Sequence, residues 1–230
     1  MWTDSLRKRA GTVYRPRNVN EHASKGLSLD SGEPLSEFRA KDGRTVVLRV
    51  LRKKDIEALL RFANAIVKER ATNHDIGIVS LDKRVTRAEE RKFLNGIIRG
   101  MRKKEVVSIA AFAGNDMVGH CDIQRRKLRD IRHTGVLGIV IRKEYRGIGL
   151  GGRMIAEALR AARRMGVWLV ELTVFATNAT AMHLYERMGF VKVGVVPNKI
   201  LRDGRHFDEV VMYTDLRGSD KSLLGRRRES

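Results

Sequence analysis

Residues 141–154 read IRKEYRGIGLGGRM, and no other stretch of the chain restricts the fold as tightly. The apolar run GVLGIVI at 135–141 reads as a strand. It ends in a knot of cations, glycines follow at 147, 149, 151 and 152, and a helix begins. Glycines let the backbone turn sharply and leave its N–H groups uncovered, while a helix N-terminus adds the positive end of its dipole. Arg142, Lys143, Arg146 and Arg153 surround that turn with cations. The combination predicts an anion site suited to a pyrophosphate. The string also satisfies G-x-G-x-x-G, with an acid, Glu171, at about the distance a dinucleotide fold requires. In that fold, however, the strand runs straight into the first glycine. Here RKEYR intervenes, and too little chain follows to complete a doubly wound sheet. No Gly-Lys-Ser/Thr follows either, so a P-loop is excluded.

The remaining elements are placed by periodicity. RTVVLRVL (44–51) alternates as a strand, and 53–70 is a helix with Asp55 at its N-cap and apolar positions at 56, 59, 60, 63, 66 and 67. A second helix over 86–102 opens on a capping box, Thr86 with Glu89. VVSIAAF and MVGHCDIQ flank AGND, which predicts an antiparallel hairpin. A helix over 149–165 turns Ala156, Leu159 and Ala162 inward and Arg160, Arg163 and Arg164 outward, and Gly166 closes it. A strand at 167–175, a short helix from Asn178 to Gly189, and a hairpin of VKVGVV with FDEVVMYTDL complete the order. This is an α/β chain: a mixed sheet with helices on both faces, in which only the strands joined by the 149–165 helix need run parallel. Residues 1–43 read as a polar, flexible or surface-draped extension, 44–216 as the folded domain, and 217–230 as a basic tail.

Composition narrows the class further. The net charge is +20, and +15 of it falls on residues 44–216, so the basicity belongs to the folded body. Such a surface favours anionic partners: a phosphorylated cofactor, nucleic acid, a ribosome or an acidic protein. The competing reading is a charge-rich solvated surface. A single cysteine, Cys121, excludes a disulfide framework and a Cys-rich zinc site. No apolar run reaches the length of a membrane span, and the start MWTDSLRKRAG lacks the apolar core of a secretion signal, so a cytoplasmic location is expected.

With these residues in place, a resemblance emerges. IRKEYRGIGLGGRMI is similar to the acetyl-CoA-binding motif of the GNAT superfamily of N-acetyltransferases, Arg/Gln-x-x-Gly-x-Gly/Ala, with Arg146, Gly149 and Gly151 in its fixed positions. VFATNATAMHLYERMGF resembles the next block of that superfamily: Asn178, Tyr185, Gly189 and Phe190 fall at its spacing. The closing strand resembles the amino-acid and ribosomal-protein acetyltransferase branches. The resemblance spans about residues 44–216 and implies the GNAT fold, with acetyl-CoA as co-substrate and direct transfer of acetyl to a primary amine in a ternary complex. The amine is that of an amino acid, a protein N-terminus or a lysine.

It also implies roles. Backbone groups of Ile139, Val140 and Ile141 would pair with the pantetheine arm and polarise the thioester carbonyl. Arg146, Gly147, Ile148, Gly149, Leu150, Gly151 and Gly152 would hold the pyrophosphate. Asn178, a good N-cap in its own right, would add an amide contact to pantetheine, and Tyr185 would protonate the departing thiolate. Ribosomal-protein acetyltransferases carry a glutamate where this chain has Thr173, so the base is not assigned by resemblance. Glu171 shares a strand face with Thr173 and is the first candidate, ahead of Asp122, His120 and His133. His120, Cys121 and Asp122 are contiguous on a strand, point to alternating faces and cannot jointly chelate a metal. A GNAT-fold binder of nucleic acid or the ribosome, with coenzyme A as ligand, is the alternative function, and a homodimer is compatible with either.

Overall fold

The computed structural model describes residues 35–40, 42–73, 76–77 and 81–219. Eight strands form one sheet, in the order β1-β2-β3-β4-β5-β6-β8-β7. They are β1 (Ser36–Arg39), β2 (Thr45–Arg49), β3 (Val106–Ala113), β4 (Asp116–Arg125), β5 (Thr134–Ile141), β6 (Leu169–Phe175), β7 (Val191–Arg202) and β8 (Arg205–Asp215). Four α-helices accompany them: α1 (Ile56–Arg70), α2 (Arg87–Arg102), α3 (Leu150–Arg164) and α4 (Ala179–Arg187). Every neighbouring pair is antiparallel except β5 and β6, which are joined through α3.

Strand alternation divides the apolar residues into two cores. Ile109, Cys121, Ile123, Leu172 and Met212 face α3 and α4, where Leu150, Met154, Ile155, Ala158 and Ala162 complete the packing. Ala110, Phe112 and Met117 face α1 and α2, against Leu59, Phe62, Ile66 and Leu94. The inward residues of α3 fall at 150, 154, 155, 158, 161 and 162, a stripe of helical period, while Arg160, Arg163 and Arg164 are exposed. Gly166, at φ +86°, ends α3. The Val167 N–H then reaches back to the Ala162 carbonyl (2.9 Å), which satisfies an orphan acceptor of the last turn.

The anticipated box at Thr86 is present: its N–H donates to Glu89 Oε2 (2.8 Å) and its Oγ1 accepts from the Glu89 N–H (3.3 Å). Asp55 stands at the N-cap of α1, as expected, but its carboxylate caps no N–H of that helix. Residues 53–55 form a 3-10 turn, and the Asp55 carboxylate accepts the Arg52 N–H (2.7 Å) and a bidentate Arg49 (2.6 and 2.8 Å). Residues 36–39, assigned to the extension on composition, form β1 and pair with β2. The last hairpin is longer than its apolar runs suggest. Asp203 and Gly204, at φ 50° and 74°, make a tight turn that extends both strands past Pro197, where the register shifts. The basic tail beyond Ser219 and most of the extension lie outside the described residues.

Glu90 is an outlier in this fold. It is 5% exposed on α2, one of its carboxylate oxygens has no hydrogen-bond partner, and burial, aided by the Glu89 charge, pushes its pKa up to about 7. The folded state therefore holds this proton more tightly than the unfolded chain does. Stability contributed by the neutral acid is present below the unfolded value of 4.5 and is lost as pH rises to about 7. Glu90→Gln should raise stability at pH 8 by about 1–2 kcal/mol and leave it unchanged near pH 4. Urea unfolding at the two pH values measures the difference.

Candidate active site

The site begins with an interruption. β5 and β6 pair in register only over Thr134–Leu169, Gly135–Val170 and Val136–Glu171, although β5 continues to Ile141 and β6 to Phe175. Beyond Val136 the two strands separate and leave a gap in the middle of the sheet. Which backbone groups face it follows from the ladder on the other side. The Arg142 N–H donates to the Val118 carbonyl (2.9 Å), and the Thr134 carbonyl accepts from the Arg126 N–H (3.0 Å). Even-numbered residues of β5 thus present their backbone to β4, and odd-numbered ones to the gap. Ile139 and Ile141 point their N–H groups into it. Val140 points its backbone to β4, which removes it from the cleft-facing set expected from sequence.

At the end of β5 the glycine loop leaves its backbone uncovered. Gly147 and Gly149 lie at φ 75° and 94°, and a β-carbon on either would meet nothing within 4 Å. Among the described residues, no hydrogen-bond acceptor is found for the amides from Gly147 through Gly152, at the N-terminus of α3. A row of uncovered N–H groups at a helix start is a phosphate-binding arrangement. Gly151 and Gly152 do something else as well: β-carbons there would stand 2.9 and 3.6 Å from Leu184, so these glycines let α3 approach α4.

The cations of the loop are largely committed to the fold. Arg146 donates through Nε to the Ile141 carbonyl (2.8 Å) and clamps Glu69, near the end of α1, through Nη1 and Nη2 (2.5 and 2.7 Å). Arg142 pairs with Glu144 (3.4 Å), and Arg153 lies 3.7 Å from Glu157. Lys143 is exposed. Arg146 therefore ties the glycine loop to α1.

α4 lies on the α3 side of the gap. Asn178 Oδ1 accepts the Ala181 N–H (3.1 Å), which occupies its oxygen and leaves its amide nitrogen to point elsewhere. Tyr185 is 8% exposed, meets Phe190 edge-on (5.9 Å) and has no hydrogen-bond partner on its hydroxyl among the described residues. Burial, with a smaller contribution from the neighbouring Cys121 thiol, pushes the phenol above its ordinary pKa. Burial likewise raises Cys121, which stays a neutral core residue.

The base candidates separate clearly. Glu171 pairs with Arg126 (3.2 Å) and sits on the α1–α2 face together with Thr173. His120 is buried, bonded to Ser108 Oγ (2.9 Å) and edge-on to Phe93. Burial lowers its pKa, with the Asp122 charge opposing. His133 stacks on Trp168 (4.2 Å). Asp122 lines a cavity of about 470 Å³ with Gln124, Arg126 and Gly138, open at the same face. Gly138, opposite Asp122 in this cavity, was passed over in the sequence, where its signal was a glycine in the middle of an apolar strand.

A fold with a split sheet and an uncovered amide cradle at a glycine-rich helix start is that of an acyl-CoA N-acyltransferase. The sequence profile of the acetyltransferase (GNAT) family matches residues 75–190, and the chain belongs to that family. It is 24% identical over 169 residues to an L-amino acid N-acyltransferase, MnaT, of Escherichia coli, covering 74% of this chain and 93% of that one. An acetyltransferase of the GNAT family from Streptococcus pneumoniae superposes with a TM-score of 0.65 at 28% identity, over 74% of this chain and 99% of that one. A ribosomal-protein α-N-acetyltransferase, RimL, crystallised with coenzyme A, shares the fold with a TM-score of 0.66 at 15% identity, over 80% and 98%. The protein is an N-acetyltransferase. No described helix is long and apolar enough to cross a membrane.

The Arg146–Glu69 clamp yields a prediction. Glu69→Gln and Arg146→Ala should each weaken acetyl-CoA binding by about 3–10-fold, and the double variant should bind no worse than the weaker single, because both remove one shared interaction. Titration calorimetry with acetyl-CoA reads all three.

Proposed function

We propose that this chain transfers the acetyl group of acetyl-CoA to a primary amine by direct attack in a ternary complex. The observation that carries the reading is the gap beyond Val136, opening next to the uncovered amides of 147–152. In this reading the loop amides hold the pyrophosphate, and Arg146 keeps the loop in place through Ile141 and Glu69. The Ile139 N–H, a fixed donor with no strand opposite it, stabilises negative charge on the thioester oxygen. The Ile141 N–H and the amide nitrogen of Asn178 receive the pantetheine arm. Acetyl-CoA supplies the activated acyl group and a thiolate leaving group.

Tyr185 is the proton donor to that thiolate. Its raised pKa keeps the phenol protonated across the working pH range. Tyr185→Phe should lower kcat about 10²–10³-fold, with acetyl-CoA affinity within twofold of wild type. The pH–rate profile should contain no limb belonging to Tyr185. A Phe variant with wild-type kcat removes the assignment.

The amine approaches from the α1–α2 face, through the cavity holding Asp122. Cations and the Asp122 carboxylate meet there, a lining suited to a small zwitterion such as an amino acid, the acceptor class in the name of the E. coli relative. Acetyl-CoA consumption across amino acids, polyamines and short peptides tests this choice.

A second reading, weak electrostatic contact with nucleic acid, is favoured by one observation. Segments 102–104, 125–132 and 163–164, with Arg217, all lie at the sheet end where β5, β6 and α2 place their cationic loops. That end is a helix length, about 22 Å along α3, from the glycine loop. Burial, with a smaller contribution from the Arg132 charge, lowers the pKa of Arg125 there. Binding of a generic RNA hairpin should fall linearly in a log–log salt titration and leave acetyl-CoA affinity unchanged, since the glycine loop lies at the other end. No binding at low salt reduces the +20 to a solvated surface.

A further inference from the structure

We propose that Asp122 receives the acceptor's amine and takes its proton, facing Tyr185 through the gap from the opposite side of the sheet. The inference rests on the acetyl-transfer reading above and adds a catalytic residue that the family motifs do not supply.

Strand register gives the placement. Asp122 on β4 lies opposite Gly138 on β5, two residues past the last residue of β5 that pairs with β6. A β-carbon on Gly138 would stand 3.1 Å from Asp122 Oδ1, so the carboxylate leans over the bare backbone of β5. Any other residue at 138 would push it away. Gln124 Nε2 donates to Oδ2 (3.0 Å), which orients the carboxylate, while Oδ1 has no partner among the described residues. Both residues line the open cavity, and Gly138 is exposed.

The opposite face supplies the complementary group. Cys121 and Ile139 form the adjacent register pair, with side chains on the α3–α4 face, and the Tyr185 ring lies beside Cys121. Asp122 and Tyr185 thus sit one residue apart along the strands and on opposite sides of the gap. The Ile139 N–H lies between them. An acetyl carbonyl held by that N–H would present its carbon to an amine arriving over Asp122, with its sulfur toward Tyr185. The nitrogen lone pair forms the C–N bond as the C–S bond breaks. Asp122 first passes the proton of the incoming ammonium to water, which frees that lone pair; the proton that nitrogen sheds as the amide forms then goes to the Asp122 carboxylate, and the thiolate takes the phenolic proton. Exchange with water returns the carboxylic acid and phenolate to their starting forms, so protons balance.

The competing bases are otherwise engaged. Glu171 is held by Arg126, His120 is sealed beneath Phe93 with Ser108 on its Nε2, and His133 is stacked on Trp168. The charged groups around Asp122 are His120 on its own strand, Arg125, Arg126 and Lys127 at the cavity mouth, and Glu171 from β6. β3 opposes it with Ser108 and β5 with Gly138, neither of which titrates.

The experiment uses the full chain, with acetyl-CoA and a fixed acceptor panel of L-methionine, L-lysine, spermidine and a serine-initiated tetrapeptide. Asp122→Asn should lower kcat about 10²–10³-fold on whichever acceptor turns over, with acetyl-CoA affinity by calorimetry within twofold of wild type. Its rate should keep climbing about tenfold per pH unit where the wild type levels off, because solvent must then deprotonate the amine. Gly138→Ala should cost about 10-fold or more in kcat with an unchanged melting temperature, and should add nothing to Asp122→Asn. Glu171→Gln should stay within about fivefold of wild type. An Asp122→Asn enzyme with wild-type kcat, or one whose loss is matched by Glu171→Gln, overturns the inference while leaving acetyl transfer intact. Failure of the wild type to acetylate any acceptor while binding acetyl-CoA overturns the functional reading and the inference with it.

Discussion

Three register pairs hold β5 to β6, and their ending at Val136 is the constraint on which the site depends. A parallel pair that continued to Ile141 would close the sheet and satisfy every backbone group internally. Because β6 is instead bound along its whole length to β8, it follows that strand away and leaves β5 with β4 alone. The N–H groups of Ile139 and Ile141 are then left without a strand partner, which is costly in a buried sheet unless water or a ligand meets them. The same divergence opens both faces of the sheet to one another, so two reactants can meet without either crossing a packed core.

The two faces are chemically distinct because strand side chains alternate. On the α3–α4 side the gap is apolar, flanked by Ile139, Cys121 and Tyr185, and a phenol there is kept neutral by burial. On the α1–α2 side it is polar, with Asp122, Gln124 and Arg126 in an open cavity. The glycine loop is joined to that second side through the Arg146–Glu69 clamp. A disturbance of α1 therefore reaches the loop that, in the proposed function, holds the phosphates. Arg146 acts in this structure as a brace, which accounts for its place beside the glycines without requiring it to touch the anion.

The charge of the protein is distributed by the same topology. Loops at one sheet end, between α2 and β3, β4 and β5, and α3 and β6, carry runs of cations that reach the mouth of the Asp122 cavity through Arg125, Arg126 and Lys127, while the glycine loop lies at the other end. Mutual repulsion among these exposed cations is screened by salt and costs little each, so the fold tolerates them. Buried charge is rarer and more consequential. Asp55 is stabilised by the Arg49 guanidinium and the Arg52 N–H. Glu90 has an oxygen without a partner, and burial, aided by the Glu89 charge, makes it neutral-leaning.

What the sequence determined by itself is what local chemistry encodes. The Thr86–Glu89 box, the Gly166 stop, the Asn178 cap, the stripe of α3 and the glycine knot of 147–152 are all short-range signals, and each was legible at its own position. So was the family, because Arg146, Gly149, Gly151 and the Asn178–Tyr185 block stand in fixed spacing along one chain. Tertiary structure decided whatever depends on a partner strand. β1 was hidden because four polar-looking residues form a strand only when β2 offers its edge. Which backbone groups of β5 are free, Ile139 and Ile141 against Val140, follows from the ladder to β4 and from where β6 departs. The setting of the carboxylates was likewise invisible: Glu171 and Asp122 look alike in sequence, and only the fold puts Arg126 beside one and the bare Gly138 beneath the other. Spacing along a chain records periodicity and caps, but register between strands distant in sequence is set by packing of the whole sheet, and the proposed chemistry of this protein lies in that register.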